Sequence, residues 1–282
     1  MYEVIFLLIL AFIWIIVASI YDFRKRIVFD WLNFSLITFA LGFRFFYSLF
    51  HDNFTFFYQG LIGLGIFFIL GTSLYYGRMF AGGDAKLMIA LGTILPFSEN
   101  LIVNIKIFLL FFLLFLFAGA VYGLSWSIYL TISKKKEVWD EMKKQFNQLR
   151  PIINALMAAA LLVMVLGMYD SFLFYIGIMV FLLPYLYIYS KAIDEVCMVK
   201  TVKVKDLEEG DWLYHDLKIG SKTIKADWGG LTKNQIKEIK RKYKSIKIRQ
   251  GIPFVPVFLI GFLLLVYVWF VNPGLLRILP WF

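Results

Sequence analysis

Apolar residues along this chain fall into eight blocks, about 2–21, 31–50, 57–77, 85–97, 103–132, 152–168, 172–190 and 253–271. A helix crossing a hydrocarbon core needs roughly 20 such residues, and seven of the blocks are of that order. The fourth is not. From Ala85 to Phe97 it holds 13 residues, or about 20 Å of helix at 1.5 Å per residue, against a core of about 30 Å. Either its N-terminal end begins below the membrane surface, or the preceding Gly82-Gly83 turn is itself drawn into the protein. Irregular backbone at that depth is tolerated only where protein or a water-filled cavity surrounds it.

The pattern changes over 191–252. Val199 to Val204 alternates as a strand does, and 217–224 reads as a hairpin turning at Gly220-Ser221. Thr232 with Gln235 forms a capping box for a helix to about Tyr243, with Ile236, Ile239 and Tyr243 on one face. Ile246 and Ile248 alternate again. The expected architecture is an all-α polytopic membrane protein of about eight transmembrane segments, with a small cytoplasmic α/β domain before the last helix. Its divisions are five segments over 1–132, a basic cytoplasmic loop 133–151, a membrane hairpin 152–190, the α/β domain 191–252, and a C-terminal transmembrane helix and tail 253–282.

Composition agrees with the membrane reading. Only 17% of the residues are charged and 61% are hydrophobic, where a soluble globular chain carries about 25% charged residues. The formal charge of +10 would suggest nucleic acid if it were spread evenly, but it is not. If every block crosses, 26 of the 29 Lys and Arg residues fall on one side, in 22–30, 78–86, 133–151 and 191–252. That asymmetry places those segments inside and the N-terminus outside, in the cell membrane. The basic charge therefore reads as topology and contact with the anionic bilayer, and nucleic acid is not an expected partner. The first block is expected to be a permanent helix, because Glu3 precedes it and Arg24, Lys25 and Arg26 follow it, the reverse of a cleavable signal. Cys197 is single, and His51 and His215 show no ligand spacing, so no metal site is expected.

Two aspartates stand at block ends on the inner side. Asp22 follows the first block in Tyr21-Asp22-Phe23-Arg24-Lys25-Arg26, and Asp84 opens the short fourth one in Ala81-Gly82-Gly83-Asp84-Ala85-Lys86. Ionisable groups at membrane depth mark function by default. Two neighbouring carboxyls cannot both ionise cheaply, so they share a proton. Such a pair can deprotonate water while protonating a peptide. Taken alone, Asp22 reads as a helix flank and Asp84 reads as a structural N-cap as readily as a catalytic group, and spacing does not bring them together.

The motifs Asp22-Phe-Arg-x-Arg-x-x-x-Asp30 and Gly82-Gly-Asp84-x-Lys86-Leu-Met, three apolar blocks apart, resemble those of the type IV prepilin peptidases. The resemblance is strongest to the archaeal preflagellin and prepilin peptidases, membrane aspartic proteases with a Gly-x-Gly-Asp motif, and covers about residues 1–100. The segment Gly251-Ile-Pro-Phe-Val-Pro256 opening the last block is similar to that branch too. The resemblance implies that 1–132 is a catalytic core with Asp22 and Asp84 as its pair, supported by Gly82, Gly83, Lys86 and Asp30, the last a non-catalytic acid. It implies an endopeptidase that needs no cofactor and cuts the basic leader from membrane-anchored pilin-like or flagellin-like precursors at the cytoplasmic face. Ala81 stands where the motif has its first glycine, and the tetracysteine segment of bacterial relatives is absent. The hairpin 152–190 is extra relative to six-helix archaeal relatives.

Two rivals stay open: a presenilin-like intramembrane protease, although no Pro-Ala-Leu motif is present, and a non-enzymatic transporter or assembly factor with an acid-lined path. Helix ends suggest that Asp84, at a helix N-terminus, is the ionised partner and Asp22, at a C-terminus, the protonated one. Lys86 is expected to pair with a carboxylate or lipid phosphate. The acids Glu208, Glu209, Asp211 and Asp216 read as solvated surface, with docking of a basic leader as the alternative. Gly60, Gly63, Gly65 and Gly71 are expected to let the third helix pack closely.

Overall fold

A computed structural model describes residues 2–220 and 222–272. Its helices are α1 (Tyr2–Lys25), α2 (Asp30–Phe50), α3 (Thr55–Tyr76), α4 (Gly82–Leu91), α5 (Leu101–Ser133), α6 (Lys135–Leu166), α7 (Ser171–Cys197), α8 (Lys233–Lys242) and α9 (Val255–Val266). Six of them, α1, α2, α3, α5, α6 and α7, are long and apolar enough to cross a membrane. The chain is thus an all-α multi-pass membrane protein with small strands placed after α7. The shorter α9 continues as a π-helical turn, Tyr267–Val271. The C-terminal tail expected over 273–282 lies outside the described residues.

Two elements differ from the sequence pattern. The helical part of the short fourth block starts earlier and ends sooner than expected, at Leu91, so Gly82 and Gly83 form its first turn. The irregular backbone sits at the opposite end, in the turns after Leu91, where residues 92–96 are all buried. There, protein surrounds the non-helical stretch, the condition for its survival in an apolar medium. The second difference is 133–151, which is not a loop. A single residue, Lys134, separates α5 from α6, which runs unbroken through Pro151. Its basic run is rich in good helix formers, Glu141 bonds to Lys144 and Gln145 within one turn, and Val138 is buried. Charge density marked a loop where the residues favour a polar helix.

The chain divides into two compact units, Met1–Leu124 with Ile252–Phe282, and Ser125–Gly251. In the first, α1 lies against α2 and α9, while α4 lies against α2 and α3. The α3–α4 seam is very close: a Cβ on Gly63 would fall 2.2 Å from the Gly92 carbonyl oxygen, and one on Gly71 would fall 2.9 Å from that of Ala85. Gly60 makes room for Arg44, but Gly65 meets nothing within 4 Å, so it takes no part in the packing expected of it. Phe67 of α3 meets Phe108 and Phe111 of α5, and Phe115 of α5 sits among Phe80, Phe254 and Phe258.

In the second unit α6 and α7 form an antiparallel hairpin, with Met164 against Gly177 and Asp170 capping α7 through the Phe172 N–H. Strands β1 (Val199–Lys203), β2 (Trp212–Leu213) and β5 (Ser245–Arg249) form an antiparallel sheet ordered β1-β5-β2, and β3 (Leu217–Ile219) pairs with β4 (Lys222–Ile224). The capping box of Thr232 and Gln235 is present at α8, and Ile236 and Ile239 enter a core with Val204, Leu213, Ile246 and Ile248.

Candidate active site

Asp22 is in the last turn of α1 and is only 6% exposed. Its Oδ2 accepts the backbone N–H of Val255, the first residue of α9, at 2.9 Å. Pro253 and Pro256 flank this N-terminus and can donate no hydrogen bond themselves. The helix ends three residues after Asp22: the Arg26 N–H donates to the Asp22 carbonyl as the last helical bond, and Arg26 takes φ +61°, the left-handed conformation that ends helices. The chain then passes Val28 and enters α2 at Asp30.

Asp84 is the third residue of α4 and is half-buried. Ala81 precedes the helix in an extended conformation, φ −69°, which any residue adopts, so alanine at the motif's first position carries no backbone strain. Of the two glycines, Gly83 has the steric reason. A Cβ there would lie 3.0 Å from Val28 Cβ, whereas one on Gly82 would meet Tyr75 at an ordinary 3.7 Å. The loop after Asp22 therefore rests on the residue before Asp84. A second tie joins the same segments, since Lys86 Nζ lies 2.6 Å from Asp30 Oδ1. The carboxyls of Asp22 and Asp84 are near enough to interact electrostatically. The structure thus gathers Asp22, Gly83, Asp84, Lys86 and Asp30 at one end of the first unit.

Residues 9–124 match the type IV leader peptidase family. The matched stretch holds both aspartates, most of α1, all of α2 to α4 and the first part of α5. Preflagellin peptidases of Methanocaldococcus jannaschii and Methanococcus maripaludis are 30% and 32% identical to the chain over 82 residues. That stretch is 29% of this chain and 35% of each relative, so the chain spans about a third of the length of the curated relatives it matches. No solved structure matches.

Two features of the first unit escaped the sequence. The donor to Asp22 is a backbone group 233 residues away, and only the Pro-rich opening of α9 hinted that this helix start was special. Its presence also corrects the argument from helix ends. Asp22 closes α1 but faces the N-terminus of α9, where a carboxylate is favoured, so Asp22 and Asp84 both meet helix N-termini. Arg44 is the other omission; it is fully buried in α2. Of the acids in the strand-bearing segment, Glu209 pairs with Lys233, Asp211 accepts the Glu208 N–H and Asp216 the Ala226 N–H. These are local ties that hold loops. Among the described residues no group of three His, Cys, Asp or Glu side chains is placed to hold a metal ion.

Proposed function

We propose that this chain is a membrane-embedded aspartic endopeptidase that removes the basic leader from pilin-like or flagellin-like precursors at the cytoplasmic membrane face. The observation that carries the reading is the convergence of Asp22 and Asp84 from separate helices within the family region, with Asp22 held by the first N–H of α9. The preflagellin peptidases among its relatives support the substrate class.

The two carboxyls share one proton and titrate as a unit. The ionised member takes a proton from water, and that water attacks the carbonyl carbon of the scissile peptide. The protonated member gives its proton to the peptide as the C–N bond breaks, leaving a new carboxylate on the leader and an amine on the mature subunit. The Val255 N–H keeps the Asp22 carboxyl aimed. The concentration of Lys and Arg on one side of the eight blocks supports placing this site inside the cell.

Co-expression with candidate precursors tests the reading. The native chain is expected to shorten a precursor by its leader, and Asp22→Asn or Asp84→Asn to lower the rate at least ~100-fold, as loss of an acid or base group does. Full processing by either variant would remove that residue from the mechanism. A cut inside the substrate's apolar helix would favour the presenilin-like alternative.

A further inference from the structure

α4 is ten residues long, about 15 Å, and the turns that follow it, residues 92–96, are all buried, so their carbonyls need partners within the protein. Arg44 meets them. Its Nε donates to the Thr93 carbonyl at 2.8 Å, and its Nη2 to those of Ile94 at 3.3 Å and Pro96 at 2.7 Å. Its Nη1 donates to the Phe56 carbonyl at 2.9 Å, and the guanidinium lies 4.2 Å from the centre of the Phe56 ring. The side chain is 0% exposed. A buried cation is costly unless its donors are satisfied, and the flat fork of arginine can serve four carbonyls where an ammonium cannot. Gly60 provides its space, since a Cβ there would fall 2.5 Å from Arg44 Cδ.

We infer that Arg44 is a positioning residue for Asp84: it anchors the buried end of α4 to α2 and so sets where the other end of that helix holds its carboxyl relative to Asp22. The inference rests on the peptidase reading above. The helix is a stiff rod with Asp84 in its first turn, held along α3 by the Gly63–Gly92 and Gly71–Ala85 approaches and tied to the start of α2 by Lys86 and Asp30. Arg44 supplies the restraint from α2 at the far tip. Releasing it frees the buried end of the rod to shift, and a stiff helix passes that shift to its first turn, where Asp84 stands.

The test compares Arg44→Lys and Gly60→Ala with the native protein, in membranes, on a precursor that the native protein processes. Both are expected to lower kcat at least tenfold with KM changed less than threefold, and to shift the pH profile of processing, because the carboxyl separation governs how the pair titrates. Reverting the Arg44→Lys variant to arginine must restore both. Native kcat and pH profile in Gly60→Ala would overturn the proposal, as would loss of both variant proteins from the membrane, which would make Arg44 a support of the bundle and not of Asp84. If the native protein processes no precursor, the peptidase reading fails by itself. Arg44 is then judged by the pH dependence of carbodiimide labelling at Asp84, read by peptide mass spectrometry. A profile displaced in both variants supports the inference, and an unchanged one overturns it.

Discussion

Asp22 answers to two helices at once: it ends α1, and its carboxyl receives the opening N–H of α9. From the sequence only the first relation is visible, because the second joins residues 233 positions apart. Gly83 shows the same limit. Its place in the motif is legible, but the reason for it, the approach of Val28 to 3.0 Å from a would-be Cβ, is a tertiary fact. That contact predicts a coupled pair. Gly83→Ala must displace α4 or the loop carrying Val28, and we expect it to slow processing about tenfold, a cost of about 1.4 kcal/mol in the barrier. Val28→Gly, which removes the opposing Cβ, should restore part of the loss when combined with it, a departure from additivity of the kind seen between residues in contact. Additive losses in the double variant would show that the two positions do not press on each other.

Elements were legible where their composition was uniform. The six long apolar helices and the α8 capping box follow from runs of apolar residues and from the Thr232–Gln235 spacing. Reading failed where charge and length conflicted with helix propensity, as in the basic half of α6, and where burial kept irregular backbone dry, as after Leu91. At this scale the Asp30–Lys86 bridge ties the start of α2 to the first turn of α4. Its side chains are 59% and 42% exposed, and exposed pairs contribute about 0–1 kcal/mol. Lys86→Met is therefore expected to change the processing rate less than about fivefold, the factor that 1 kcal/mol represents. A loss as large as that of an aspartate variant, measured on the same precursor, would place Lys86 in the chemistry.

Across the whole molecule, the family match and the first compact unit nearly coincide: residues 9–124 lie within Met1–Leu124, to which the end of the chain adds α9 and its donor to Asp22. The motifs alone pointed to both aspartates, since Gly-Gly-Asp before a short helix and Asp at a helix end are local signals. Their meeting depends on α4 being packed against α2 and α3, which no local signal carries. The convergence of these carboxyls is thus the claim on which the proposed chemistry stands. It can be measured without a substrate by placing Asp22→Cys and Asp84→Cys in a Cys197→Ser background and joining the thiols in native membranes with linkers of graded length. Asp30→Cys with Lys86→Cys, on the same two segments, serves as the reference pair. The account predicts that the 22–84 pair is joined by the shorter linkers at a rate comparable to the reference. Failure of every linker at 22–84, with the reference pair joined readily, would contradict it.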